Sequence, residues 1–299
     1  TATIIDGARI AQEVREEVAA GVQALQRDHG VTPGLAAVLI GDNPASASYV
    51  LGKEKACSEV GIFTETFHLP QDPSQDDVLD LVRRLNDDHR FPGILTQLPF
   101  PAQIDEASVI RSLHTAKDVD GLHPYNMGLL ALGEPVFICA TPSGVQQLLL
   151  RTGNDPAGKH VVVCGRSNIV GKPLAMLLSQ KRSGANATVT LCHTGTPDLA
   201  GYTRAGDIVI AAAGVPALIT GEMVRDGAVV IDVGINRVDD PSRKRGYRIA
   251  GDVDFDSVQP KAAAITPVPG GVGPMTVAML LKTTVRAARL ATERRDRAK

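Results

Sequence analysis

The 299-residue chain has no tryptophan, and aromatic residues make up only 3% of it. Proteins that hold single-stranded nucleic acid rely on aromatic platforms for base stacking, so that function class is not expected. Neither sign of charge is in excess, the formal net charge being −2. That balance removes the electrostatic case for nucleic acid or an anionic membrane surface as a partner. No apolar run approaches the roughly 20 residues a bilayer crossing needs. The first residues lack a signal-peptide layout. The four cysteines (Cys57, Cys139, Cys164 and Cys192) form no CxxC pair. They read as small buried hydrophobes in a reducing compartment, and the expected location is cytoplasmic. The seven histidines show no H-x-x-x-H or H-E-x-x-H spacing, so no protein metal site is expected.

What the chain does have is alternation of apolar runs with helical patterns. Ile10, Val14, Val18, Val22 and Leu25 fall on one face of a first helix. Residues 35–41 read as a buried strand, 46–60 as a helix with Tyr49 and Lys53 one turn apart, and 64–69 as a second strand. Ser74 with Asp77 has the spacing of a capping box for a helix through Leu85. Residues 93–98 read as a third strand, stopped by Pro99 and Pro101. Thr141-Pro142-Ser143-Gly144 marks a change, with a helix following to about Leu150. Strands then recur at 161–164, 188–191, 207–211 and 228–233 with helices between. Short strands alternating with helices imply right-handed βαβ crossovers. The fold class is therefore α/β, with two α/β domains, the second a Rossmann-like, doubly wound parallel sheet. Residues 237–248 read as a solvated hairpin or loop, and 266–274 are too rich in Pro and Gly for regular structure. A long helix is expected from near Pro274 toward Arg295, with 293–299 as a disordered tail.

The run Val161-Val162-Val163-Cys164-Gly165-Arg166-Ser167-Asn168-Ile169-Val170-Gly171-Lys172-Pro173 is the most informative. A buried strand delivers a tight turn to a helix N-terminus, where backbone N–H groups and the helix dipole attract phosphate. It departs from G-x-G-x-x-G, because Ser167 stands at the second glycine and the last glycine is Gly171. The ribose reader of such sites lies at the end of the next strand, about 20 residues on, and is acidic when the cofactor is NAD. Here that strand ends in Cys192-His193-Thr194-Gly195-Thr196, with no carboxylate. Arg166 nearby favours a 2′-phosphate, hence NADP, although a solvated loop arginine is the alternative. Gly214-Val215-Pro216 lies where a third crossover would line the cofactor crevice, or is an ordinary turn.

Several further motifs stand in order along the chain. They are Tyr49-Val50-x-x-Lys53-x-Lys55, Thr96-Gln97-Leu98-Pro99, and Lys117-Asp118-Val119-Asp120-Gly121-x-His123-Pro124-Tyr125-Asn126. After the nucleotide loop come Asp232-Val233-Gly234-Ile235-Asn236, Gly251-Asp252-Val253-Asp254 and Thr266-Pro267-Val268-Pro269-Gly270-Gly271-Val272-Gly273-Pro274-Met275-Thr276. Together, over about residues 4–285, they resemble the bifunctional methylenetetrahydrofolate dehydrogenase/methenyltetrahydrofolate cyclohydrolase family. Two positions depart from that pattern. Cys139-Ala140-Thr141-Pro142 stands where the family usually reads Pro-Cys-Thr-Pro, and Thr96 stands where an aliphatic residue is usual. The first puts the inter-domain hinge in question, and neither removes a residue assigned chemistry here.

The resemblance implies a homodimer that oxidises 5,10-methylenetetrahydrofolate with NADP and hydrolyses the product to 10-formyltetrahydrofolate. It implies a catalytic domain of residues 1–140 plus 270–299, a nucleotide domain of 141–269, and folate held in the cleft between them. Lys53 would be the catalytic base or acid, Gln97 would tune it, and Asp120 would bind the pterin amino edge. Tyr49 would stack on the folate, with Leu98, Pro99, Pro267 and Gly271 also against it. Gly165, Arg166, Ser167, Ile169, Val170, His193, Thr194, Ala213, Gly214 and Ile235 would bind NADP. A further, ATP-dependent formate-ligase domain is not expected, since the chain is short and lacks G-x-x-x-x-G-K-[ST]. Two other readings stay open on the residues alone. One is a shikimate-dehydrogenase-like NADP oxidoreductase, and the other is a catalytically silent nucleotide- or folate-binding protein.

Overall fold

Apolar runs become strands wherever helices cover both sheet faces, because only then is a continuous Val/Ile/Leu stretch wholly removed from water. The computed structural model describes residues 2–70, 72–243 and 245–298. In chain order its elements begin with β1 (Thr3–Ile4), α1 (Gly7–His29), β2 (Gly34–Ile40), α2 (Pro44–Val60) and β3 (Phe63–Leu69). Next come α3 (Gln75–Asp87), β4 (Gly93–Thr96), α4 (Glu106–Ser112), α5 (Pro124–Ala131) and α6 (Ala140–Arg151). The series continues with β5 (His160–Cys164), α7 (Gly171–Leu178), β6 (Thr188–Cys192), α8 (Leu199–Ala205), β7 (Ile208–Ala211) and β8 (Val229–Asp232). It closes with β9 (Asn236–Asp239), β10 (Tyr247–Ala250), α9 (Phe255–Val258), β11 (Ala264–Ile265) and α10 (Val272–Arg297). Two units divide these: Gln12–Ala140 with Val277–Lys299, and Thr1–Ala11 with Thr141–Thr276.

The unit built on Gln12–Ala140 has a three-stranded parallel sheet in the order β3-β2-β4. All seven residues of the central strand β2 are buried. Ala36, Val38 and Ile40 meet Val78, Val82 and Leu85 of α3, with Phe91 and Ile94, in one apolar cluster. The expected capping box forms: the Ser74 side chain accepts from Asp77 N–H, and the Asp77 carboxylate accepts from Ser74 N–H. The five α1 residues at helical spacing are all buried as expected.

The other unit has a six-stranded sheet in the order β1-β11-β8-β7-β5-β6, with every pairing parallel. After β5 the chain goes to one side for β6 and to the other for β7. The carboxyl end of β5 is therefore the switch point where ligands gather in such sheets. Val162, Val209, Val230 and Ile265 form its core.

Several boundaries differ from the sequence reading. Residues Thr1–Ala11 group with the nucleotide-side unit and not with 12–140, because β1 adds a parallel edge strand to β11. At the other end the division falls at Val277, inside α10, and not at residue 270. The stretch 266–274 is irregular only as far as Gly271, since α10 starts at Val272. The 293–299 tail is helical to Arg297; Lys299 lies outside the described residues. Three arginines in the last turn of α10 complement the helix dipole there. Strands β9 and β10 pair antiparallel, Asn236 opposite Ala250 and Asp239 opposite Tyr247.

Candidate active site and dinucleotide cavity

Helix α2 starts where Asn43 accepts hydrogen bonds from Ala45 and Ser46 N–H, with Pro44 in the first turn. It stops at Gly61, whose φ of 82° is left-handed. Four residues apart, Tyr49 and Lys53 share one face of this helix. Tyr49 is 52% exposed, as a stacking platform needs to be. Lys53 is half-buried, and its Nζ donates to Gln97 Oε1 at 2.8 Å. Gln97 Nε2 donates in turn to the Leu98 carbonyl at 2.9 Å, which keeps the amide oxygen facing the lysine. The Leu98–Pro99 peptide is cis. Strand β4 ends at Thr96, so Gln97 follows the strand and does not sit within it, although its N–H still bonds the Val38 carbonyl at 2.9 Å. Thr96 itself is buried.

Asp120 reaches this place because residues 117–119 run beside β4. Ile94 bridges Asp118 in parallel, and Ile94 N–H bonds the Lys117 carbonyl at 2.8 Å. A turn then begins at Asp118, with Gly121 N–H bonding the Asp118 carbonyl at 3.1 Å, and Asp120 within it interacts electrostatically with Lys53. Burial lowers the pKa of Lys53, while Asp120 and Cys57 work to raise it. Burial raises Asp120 to about 6, with Lys53 lowering it and Asp118 adding to the rise. An amine disfavoured as a cation therefore stands beside a carboxyl disfavoured as an anion.

Asp118 was not assigned a role from the sequence, and it organises this loop. One of its oxygens accepts from Leu122 N–H at 3.2 Å. The other accepts from His123 N–H at 2.8 Å and from Asn126 Nδ2 at 2.7 Å. The available signal was the Asp-x-x-Gly turn spacing of Asp118 and Gly121, whose N–H bonds the Asp118 carbonyl.

In the other unit, β5, β6 and β7 converge on a cavity of about 390 Å³. Gly165, Arg166, Ser167, His193, Thr194 and Ala213, six of the residues expected at NADP, line it. Ile169, Val170, Gly214 and Ile235 are not among its lining residues, while Thr196, Leu199, Ala212, Val215 and Leu218 are. No carboxylate lines the cavity. Its floor requires glycine twice. A Cβ on Gly165, whose φ is 133°, would sit 2.0 Å from the Ala212 carbonyl oxygen, and one on Gly171 would sit 1.9 Å from that of Gly165. The loop is thus packed so closely that its backbone itself forms the surface a phosphate meets. The side chain of Arg166 is exposed beside it. These features fit an adenine dinucleotide carrying a 2′-phosphate. Pro267 and Gly271 belong to this same unit, in the segment before α10. No group of three or more metal-ligating side chains occurs among the described residues. All four cysteines are free and buried.

Residues 5–120 match the family description "Tetrahydrofolate dehydrogenase/cyclohydrolase, catalytic domain", and residues 139–292 match the corresponding NAD(P)-binding domain. The chain belongs to this family. The "Bifunctional protein FolD" of Salinibacter ruber is 58% identical over 289 residues, covering 97% of this chain and 96% of that protein. Its namesake from Dehalococcoides mccartyi is 53% identical over 292 residues, covering 97% and 98%. Among solved structures, the Campylobacter jejuni bifunctional FolD enzyme superposes with a TM-score of 0.91 at 45% identity, covering 97% of this chain and 100% of that one. The Trypanosoma brucei FolD, complexed with NADP cofactor and inhibitor, gives 0.92 at 41% identity, covering 97% and 98%. Family membership removes the shikimate-dehydrogenase-like alternative.

Proposed function

We propose that this member of the tetrahydrofolate dehydrogenase/cyclohydrolase family oxidises 5,10-methylenetetrahydrofolate to the 5,10-methenyl cation with NADP, then hydrolyses that cation to 10-formyltetrahydrofolate. The observation that carries the reading is the Lys53 amine, held 2.8 Å from a neutral amide oxygen and beside Asp120. The oxidation moves a hydride and no proton, so the chain's contribution is orientation. When bound, NADP supplies the hydride acceptor at C4 of its nicotinamide. Gly165 and Ser167 would hold its pyrophosphate through the loop and the N-terminus of α7, and Arg166 its 2′-phosphate.

The hydrolysis needs a group that takes up and releases a proton near neutral pH. Water adds to the methenyl carbon and loses a proton to the neutral Lys53 amine. The carbon–N5 bond then breaks as N5 gains a proton and the hydroxyl on that carbon gives up its own, leaving the formyl group on N10. Lowering of the Lys53 pKa by burial makes the neutral amine accessible, and the cationic substrate lowers it further. Gln97 orients the amine without the ion pair that would raise its pKa again. The Asp120 carboxylate accepts hydrogen bonds from the pterin N–H groups, Tyr49 stacks on the ring, and Leu98, Pro99, Pro267 and Gly271 complete the folate surface.

The same reading makes the enzyme a cytoplasmic homodimer, to be checked by light scattering as twice the chain mass. Membranes and nucleic acid have no part in it. Among the described residues no helix is long and apolar enough to cross a membrane. A spectrophotometric assay with methylenetetrahydrofolate tests the proposal. Methenyl absorbance is expected to rise with NADP, more slowly with NAD, and then to decay to the formyl product. No methenyl formation with either nucleotide would contradict it.

A further inference from the structure

Two carboxylates of the nucleotide-side unit are buried where no ligand has been invoked for them, Asp232 at the end of β8 and Asp252 just after β10. Their hydrogen bonds form a relay. Asp232 Oδ1 accepts from the N–H groups of Gly234 and Asp252, each at 2.9 Å, and Oδ2 accepts from Val253 N–H at 3.0 Å. Asp252, seated in this way, turns its own Oδ2 to the loop after β7. There it accepts from two successive N–H groups, Ala213 at 2.6 Å and Gly214 at 2.8 Å. Its Oδ1 accepts from Asn236 Nδ2 at 2.8 Å. There is room for nothing larger, because a Cβ on Gly251 would lie 1.8 Å from Asp232 Oδ2 and one on Gly234 would lie 2.3 Å from Asp252 Oδ1.

Two adjacent backbone N–H groups converging on one point make an anion cup of the kind that binds phosphate. Here the chain fills the cup with its own carboxylate. Ala213 and Gly214 accordingly have no free N–H to offer a cofactor, and anion binding falls to the Gly165–Ser167 loop and the N-terminus of α7. The loop after β7 still supplies Ala212, Ala213, Val215 and Leu218 to the cavity wall. A charge-assisted pair of bonds to its backbone, with Gly214 at φ 70°, fixes where that wall stands.

We propose that Asp252 is a positioning residue for the dinucleotide, setting the loop after β7 through Ala213 and Gly214 and being set in turn by Asp232. This rests on reading the cavity as the NADP site. It goes further in assigning the cofactor wall to an internal carboxylate outside that wall. The hydrogen-bond polarity gives a sharp test. In Asp252→Asn the charge is lost, and the new NH₂ faces either the two backbone N–H donors or Asn236, whose own amide must then turn its oxygen toward it. The double variant Asn236→Asp with Asp252→Asn returns a carboxylate to the pair while leaving an amide oxygen for the loop.

The experiment measures NADPH binding by its fluorescence, NADP KM in the dehydrogenase reaction, and cyclohydrolase turnover of methenyltetrahydrofolate without nucleotide. For Asp252→Asn, binding and NADP KM are expected to weaken about tenfold or more, with cyclohydrolase turnover changed less than about twofold. The double variant is expected to recover most of the loss. Equal loss of both activities would reduce Asp252 to a general structural role and overturn the proposal. So would unchanged NADP affinity, or failure of the double variant to recover it. Wild-type protein that binds NADPH yet lacks both activities would instead overturn the functional reading, and the fluorescence comparison would still decide this one.

Discussion

A lysine amine with an ordinary pKa of about 10.4 holds its proton too firmly to take another from water at neutral pH. In this protein burial is what loosens it, and Asp120 is the group that works the other way. The sign of a change at Asp120 follows. The Asp120 anion favours protonated Lys53, so Asp120→Asn removes a stabiliser of the cation and lowers the lysine pKa. The ascending limb of the cyclohydrolase pH profile is expected to move to lower pH, on top of any loss of folate affinity. A limb that stays in place or moves to higher pH would show that the two groups do not interact. Of Lys53, Gln97 and Asp120, only Gln97 stood out by itself, as a polar residue interrupting an apolar strand before a proline break; the roles of all three came from the family resemblance. Asp118, Asp232 and Asp252 were not legible as organisers. Asp118 and Asp252 sit in short polar segments and Asp232 ends an apolar strand, and the role of each lies in backbone N–H groups supplied by the fold.

At the scale of elements, β5, its loop and α7 act as one device. The strand is buried, the turn closes through Gly165 and Gly171, and the helix presents its positive end. Arg166 adds a guanidinium where no carboxylate lines the cavity. Arg166→Ala is therefore expected to raise KM for NADP by roughly tenfold or more, the worth of a charge-assisted contact, while KM for NAD changes far less. Equal rises for both would mean that Arg166 does not read the 2′-phosphate. The elements of this device were readable because continuous Val/Ile runs have no other stable destination than a covered sheet. Elements without such runs escaped. β1 has two residues, both with exposed side chains. Its existence depends on β11 being there to pair with. The short helices α4 and α5 depend on caps, from Asp105 and the His123 side chain, which only local geometry reveals.

At the scale of the molecule, the chain crosses between its two units more than once, and in the proposed reading each unit carries a different part of the chemistry. Lys53, Gln97 and Asp120 belong to the unit of Gln12–Ala140, and the dinucleotide cavity belongs to the other. The discontinuity was expected at the C-terminal end, where the last helix was assigned to the first domain. The N-terminal strand's partner in the larger sheet could not be read, because pairing between residues 3–4 and 264–265 leaves no local pattern. The division of chemistry makes the two reactions separable by one substitution. On the proposed mechanism, Lys53→Met removes the amine that handles protons and leaves the groups that orient the hydride acceptor. Both activities of the Lys53→Met enzyme, measured side by side with folate binding verified, test this most directly. The expected result is loss of cyclohydrolase activity with hydride transfer still measurable; loss of the two in equal proportion would contradict it.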